Sequence, residues 1–293
     1  MFKMKGVVPP MLTPFKENGD VDYESLKTLV EFLKKEVDGL FITGSYGAGP
    51  MMNMEERKKV TEICVETAAG EIPIIVMVGS TTTRDSAELT RHAKAAGADA
   101  VASVGPYYFS HNQNDLIGFY SDLISASDLP VYLYNNPKFQ GYEISLNTIK
   151  ELKKRGLAGV KDATFDILTH ATYHRVLVDE KFDLALGTES MWLSACALGT
   201  EAFIPGLANA FPEINRKMYK EGMAGDLEAC RKTQFEVNEM RDIMYLARST
   251  QLAVYAMLEI RGIIKAYPRA PFIPATEDEK KSIREALQKM GAI

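Results

Sequence analysis

Cysteine is scarce in this 293-residue chain: Cys64, Cys196 and Cys230 are far apart and odd in number. That pattern fits neither a disulfide framework nor a zinc site with paired ligands, so the three are expected to be buried thiols in a reducing compartment. Histidine is scarce too, and of its four occurrences only His170 and His174 share a helix face, at i, i+4. With no third ligand beside them and no H-E-x-x-H setting, they are expected to be an exposed helical pair and not a metal site. Positive charge is not in excess. The 34 Lys and Arg against 39 Asp and Glu leave a formal net charge of -5 and a pI near 5.6, which removes the field that nucleic acid or anionic lipid would need. Long apolar runs are missing as well. The opening MFKMKGVVPPMLTPF is interrupted by Pro9 and Pro10, so neither a signal peptide nor a membrane span is expected, and the chain reads as cytoplasmic.

What is present is ordinary globular material, 46% hydrophobic and 25% charged, enough to bury a large core. Short apolar, β-branched runs alternate with longer segments of helical period. Eight strand candidates fall at residues 6–12, 39–44, 72–79, 98–104, 130–135, 157–161, 182–187 and 201–206. Between them lie amphipathic stretches such as DYESLKTLVEFLKK and RDSAELTRHAKAAG, with Asp22 and Asp85 as opening caps and Gly97 as a closing one. Eight βα units predict a (β/α)8 TIM barrel over residues 1–224. Residues 225–293 read as a C-terminal helical segment packed on the barrel, closed by Pro268, Pro271 and Pro274. The alternative fold is a doubly wound open sheet. It is weakened because no G-x-G-x-x-G follows the first strand, and GSYGAG after the second lacks the Walker spacing.

Barrels of this type carry their chemistry at the C-terminal ends of the strands. Strand two ends in Gly44, Ser45 and Tyr46, strand four near Tyr107 and Tyr108, and strand five at Tyr134 and Asn135. Strand six ends at Lys161 and Asp162, strand seven at Gly187, Thr188 and Glu189, and strand eight at Pro205 and Gly206. Hydroxyls and one amine thus share a rim. Lys161 closes the run LAGVK, and two readings are open: a snorkelling surface lysine, or one dried inside the barrel, where a lowered pKa frees its amine to attack a ketone. Tyr134 is likewise either a core aromatic with a backbone partner or a proton carrier beside that amine. The glycines flanking Ser45 serve a tight turn or bring backbone N–H groups up to a carboxylate.

The segments GSYGAGPMMNMEERKKV, VGPYYF, YLYNNP and GVKDAT occur in that order. With them the chain resembles, over nearly its whole length, the dihydrodipicolinate synthase / N-acetylneuraminate lyase family of class I pyruvate aldolases. Its G-x-G-P after strand two, VASVGPYYF and YPRAPFIP are most similar to archaeal 2-keto-3-deoxygluconate aldolases. The resemblance implies that Lys161 forms a Schiff base with pyruvate, that Tyr134 transfers protons and that Ser45 belongs to a hydroxyl relay. It implies also that the Ser45 and Tyr46 amides hold the pyruvate carboxylate and that Gly187, Thr188 and Glu189 meet substrate hydroxyls. Tyr108 would reach into a neighbouring subunit's site, which makes a homotetramer, a dimer of dimers, the expected assembly. No metal or organic cofactor is expected, because the lysine is itself the electron sink.

Departures from the family pattern bear on the substrate. Dihydrodipicolinate synthases carry an arginine two residues after the proline of the strand-five motif, where it clamps a carboxylate; this chain has Phe139. Tyr46 stands where threonine is usual, and Ala48 where glutamate or leucine is common. Ser110 and His111 occupy the place where some archaeal relatives put a phosphate-binding arginine, although Arg248 from the C-terminal helices remains a candidate cation. The expected function is therefore reversible cleavage of 2-keto-3-deoxygluconate to pyruvate and glyceraldehyde. N-acetylneuraminate lyase and dihydrodipicolinate synthase activity are alternatives with the same lysine chemistry, and a keto-acid-binding barrel without catalysis is an alternative of another class.

Overall fold

A computed structural model describes residues 2–293. Eight strands follow one another in chain order: β1 (Gly6–Val7), β2 (Leu40–Ile42), β3 (Ile74–Met77), β4 (Ala100–Val104), β5 (Val131–Asn135), β6 (Gly159–Asp162), β7 (Asp183–Leu186) and β8 (Ala202–Phe203). All pair in parallel, in the order β1-β8-β7-β6-β5-β4-β3-β2. The ring closes where chain beyond β1 meets β2: Pro10 bridges Phe41, with Phe41 N–H donating to Pro9 O and Met11 N–H to Phe41 O, each at 3.0 Å. This is the (β/α)8 barrel. The strands are shorter than their apolar runs because backbone turns away from the ladder at the rim, as at Thr43, whose φ is +53°.

The helices are α1 (Tyr23–Leu33), α2 (Met54–Ala68), α3 (Thr83–Ala96), α4 (Gln113–Ala126), α5 (Pro137–Gln140), α6 (Leu146–Lys154), α7 (Ile167–Leu177), α8 (Trp192–Ala197) and α9 (Pro212–Met223). Asp22 caps α1, and Gly97 in the left-handed region ends α3. Asp85 is not a cap: Thr82 is, its hydroxyl accepting the Asp85 N–H. The C-terminal segment is not one continuous helix either. It runs as α10 (Leu227–Met244), α11 (Thr250–Ile260) and, after the prolines, α12 (Glu277–Lys289). The prolines interrupt it rather than close it, because Thr276 opens a new helix with a capping box. Its Val237, Met244, Leu252, Leu258 and Ile283 share one buried cluster with the outward residues of the strands, and Arg269 pins the segment to α2 through Glu56.

Side chains alternate across each strand, so every second residue enters the barrel. The interior set includes Phe41, Ile75, Met77, Ala100, Ala102, Val104, Tyr132, Tyr134, Ala163, Ala185 and Ala202. Alanines on β4, β7 and β8 leave the room that Phe41, Tyr132 and Tyr134 fill. On β6 the inward positions are Gly159 and Lys161, followed by Ala163 just beyond the strand. Gly159 sits under Tyr132: a β-carbon there would come within 2.7 Å of the ring. Lys161 is thus inside because of strand period, one layer above a position kept bare by Asp183 and the Tyr132 ring.

Candidate active site

Lys161 is 3% exposed and pairs in register with Tyr134 on one side and Ala185 on the other. Its Nζ lies 3.8 Å from the centres of both the Phe41 and Tyr134 rings. Neither ring supplies an anion, and burial holds the ammonium well below the usual lysine range. The snorkelling alternative does not hold, since the amine ends among ring faces and not in water.

Tyr134 is buried beside it. Asn136 Nδ2 donates to the phenol oxygen at 3.1 Å. Burial pushes the phenol up, while Ser45 and Asn136, by hydrogen bonding to it, offset part of that rise. Ser45 comes from the turn after β2, which also contains Gly44 and Tyr46. The turn is bracketed by two residues in the left-handed region, Thr43 and Ala48, and the Thr43 hydroxyl anchors it to Met77 O at 2.9 Å. The bulk of Tyr46 is directed at the loop after β8: its ring lies over Gly206, where a β-carbon would come within 2.6 Å, and its hydroxyl donates to Thr250 at 2.8 Å.

Residues from β7 are differently disposed. The Gly187 N–H donates to Asp162 O at 2.6 Å, and Thr188 Oγ1 lies 3.0 Å from Ser190 Oγ. Glu189 is 1% exposed. Its carboxylate accepts N–H groups of Gly206 and Leu207, the first residues after buried Pro205, and an Arg241 guanidinium hydrogen at 2.8 Å. The Glu189 charge is committed to protein partners. Tyr108, by contrast, is 86% exposed with φ of +83°, and Phe139 on α5 is 54% exposed at the rim beyond β5. These two do not join the buried cluster around Lys161.

The histidine pair does not have the expected exposure. His170 is fully buried, with Nδ1 at 2.9 Å from Asp162 Oδ2 and Nε2 at 2.8 Å from Thr200 Oγ1. Both ring nitrogens are engaged behind β6, because Asp162 points outward where Lys161 points in. Arg248 pairs with Glu279 and the Pro274 carbonyl on the C-terminal segment. Cys64 and Cys230 are buried thiols, but Cys196 is only half-buried. Sequence reasoning also passed over residues that shape the site from outside it. Phe41 was visible only as a strand residue, and Asn136 as one of a pair of asparagines. Arg57 of α2 donates to Met77 O and Gly79 O at 2.6 and 3.0 Å, and burial lowers its pKa to about 10.

A closed parallel barrel with a dried lysine against a tyrosine at its C-terminal rim defines an aldolase-type barrel. The chain belongs to the dihydrodipicolinate synthetase family, whose profile matches residues 3–290. It is a lyase of the pyruvate-dependent aldolase class. Among its relatives, the 4-hydroxy-tetrahydrodipicolinate synthase of Phenylobacterium zucineum is 31% identical over 291 residues, covering 99% of this chain and 98% of the relative. The dihydrodipicolinate synthase of Aquifex aeolicus superposes with a TM-score of 0.92 at 27% identity, over 98% of each chain. The Ruminococcus gnavus sialic acid aldolase gives 0.94 at 27% identity, over 99% of this chain and 98% of that one. Among the described residues, no helix is long and apolar enough to cross a membrane.

Proposed function

We propose that the chain cleaves 2-keto-3-deoxygluconate reversibly to pyruvate and glyceraldehyde, with Lys161 as the Schiff-base residue. The observation that carries the chemistry is Lys161 itself, a buried amine without an anionic partner, set against the Tyr134 ring. A neutral Nζ adds to the C2 ketone, and the carbinolamine loses water to give a protonated imine. Tyr134 gives its phenol proton to the departing carbinolamine hydroxyl and, left as phenolate beside Ser45, takes the proton of the C4 hydroxyl. The C3–C4 bond then breaks, glyceraldehyde departs and its electron pair passes to the imine as an enamine. Protonation at C3 and hydrolysis return pyruvate and the free lysine.

The choice of aldehyde rests on Phe139. A phenyl ring at that place offers no hydrogen-bond donor to a carboxylate, and the nearest cation on α5, Lys138, is exposed. An acceptor aldehyde bearing hydroxyls and no carboxylate suits such a rim. Gly187 and Thr188 follow β7, the strand paired with that of Lys161, and Pro205 follows β8; we assign the sugar hydroxyls to them. Glu189 would act there through its hold on Gly206 and Leu207. The curated relatives favour a second reading, dihydrodipicolinate synthase, through their names; the sialic acid aldolase favours a third.

We further propose a cytoplasmic homotetramer, built as a dimer of dimers, in which the exposed Tyr108 completes a neighbouring subunit's site. Residues 1–224 carry the chemistry and 225–293 support it. The test begins with borohydride reduction in the presence of pyruvate. A stable mass increase is expected in the wild type and none in Lys161→Ala. Turnover is then compared with glyceraldehyde, N-acetylmannosamine and aspartate semialdehyde as partners. Inactivity with glyceraldehyde beside activity with either other aldehyde overturns the assignment.

A further inference from the structure

The turn that carries Ser45 and Tyr46 is gripped from outside the barrel by the C-terminal segment. Gln251, in the first turn of α11, donates its side-chain amide to the carbonyl oxygens of both Ser45 and Tyr46, the latter at 3.1 Å. Its neighbour Thr250 accepts the Tyr46 hydroxyl at 2.8 Å. Two successive residues of one helix therefore hold two successive residues of the turn. Within the turn, Gly49 N–H donates to Gly44 O at 3.1 Å, and Ser45 O accepts a second bond from Ala48 N–H at 3.2 Å.

A trans peptide sets each carbonyl opposite the N–H of the next residue. Fixing the Gly44 and Ser45 carbonyls on one side therefore fixes the Ser45 and Tyr46 N–H groups on the other. Those two N–H groups have no acceptor among the described residues. The geometry is not one the turn keeps by itself. Thr43 and Ala48 hold left-handed backbone at φ of +53° and +51°, a conformation that costs a non-glycine residue free energy and persists only where surroundings impose it. The support is stiff: Leu252 to Leu258 of α11 are buried, and the Tyr255 hydroxyl ties the helix to Thr13 O at 2.7 Å.

We propose that Gln251 is a positioning residue that, by holding the Ser45 carbonyl, presets the Tyr46 amide for the keto-acid carboxylate beside the Ser45 amide that the turn itself fixes, so that the helical segment governs pyruvate affinity without touching pyruvate. This rests on the aldolase reading above. A glutamine is suited to the task because its amide nitrogen carries two hydrogens, one for each carbonyl. Methionine has the same reach and no donor. Glutamate has the same shape and sets a charge against two carbonyl oxygens.

The test is borohydride trapping of the full-length enzyme across a range of pyruvate concentrations, beside steady-state kinetics in the aldehyde. In Gln251→Met the half-saturating pyruvate concentration is expected to rise about tenfold, as for loss of a well-placed hydrogen bond to a charged group, and further in Gln251→Glu. The KM for the aldehyde stays within about twofold in both. Equal pyruvate saturation in wild type and Gln251→Met overturns the proposal. So does a parallel rise in both KM values with a lowered melting temperature, which marks general support of the fold. If Gln251→Glu does not fold, Gln251→Met alone decides between these outcomes. Failure of the wild type to trap pyruvate at all is a different result, and it overturns the aldolase reading.

Discussion

Tyr134 and Lys161 are direct register partners on adjacent parallel strands, and the lysine nitrogen stands 3.8 Å from the centre of the tyrosine ring. The contact is with the ring face, while the phenol oxygen is turned to Asn136 and Ser45. Removing the hydroxyl alone therefore separates packing from proton transfer. Tyr134→Phe is expected to keep its fold and its pyruvate affinity while kcat falls by about two to three orders of magnitude, the usual worth of a positioned acid-base group. Steady-state kinetics and borohydride trapping on the same preparation check this.

Burying Lys161 helps chemistry at the expense of stability. Its folded pKa lies below the 10.5 of an ordinary lysine, so the unfolded chain binds more protons between the two values and stability there rises with pH. Lys161→Met is accordingly expected to be more stable than wild type at pH 7. The advantage narrows as pH climbs towards 10.5. Denaturant midpoints at pH 7 and pH 10 test the sign, and an advantage that grows with pH refutes it.

The fold was legible because barrel strands are buried on both faces and read as apolar runs. Lys161 was legible as an oddity in such a run, and its inward direction follows from strand period once β6 is placed. What could not be read was contact across the chain. Gln251 meets Ser45 from 206 positions away, and nothing local marks a glutamine as a clamp. His170 looked like half of an exposed pair because the helix α7 pattern does not reveal that Asp162, on the outer face of β6, lies under it. Glu189 was visible as a rim carboxylate, while its partner Arg241 sits in a helix whose docking no spacing encodes.

At the bottom of the barrel Asp183 accepts the Met4 N–H at 2.6 Å and the Tyr132 hydroxyl at 3.0 Å. Burial still pushes its carboxyl up to about 6, from 3.8 when free. The folded state therefore holds a proton that the unfolded state has lost between those values, and stability from this group is present below pH 4 and declines up to pH 6. The whole swing is at most about 3 kcal/mol. Subtracting the stability of Asp183→Asn from that of wild type gives a difference expected to fall between pH 4 and pH 6 and to level above pH 6. A flat difference contradicts it.

Glu189 and Arg241 form a buried pair, with side chains 1% and 15% exposed. Arg241→Met leaves the carboxylate with two backbone N–H groups and no countercharge, a loss of about 3–5 kcal/mol. Removing both charges in Glu189→Leu/Arg241→Met abolishes the uncompensated ion and is expected to recover much of that loss. Urea melts of the two variants decide it. A double variant as unstable as Arg241→Met shows that the Glu189 bonds to Gly206 and Leu207, not the ion pair, hold the loop after β8.

Phe139 offers the sharpest test of substrate choice. It sits third in α5, 54% exposed, so a polar replacement there disturbs little packing and stability is expected to stay within about 0.5 kcal/mol. Phe139→Arg adds a planar donor pair at the rim, and a hydrogen bond to a charged group contributes about 1.5–3 kcal/mol. The ratio of kcat/KM for aspartate semialdehyde to that for glyceraldehyde is expected to rise by roughly 10- to 100-fold. The change arises chiefly in KM for the semialdehyde, because the guanidinium binds a carboxylate remote from the bond being made. Should the wild type already prefer the semialdehyde, the phenyl ring is not what sets the acceptor, and a cation elsewhere on the rim takes that role.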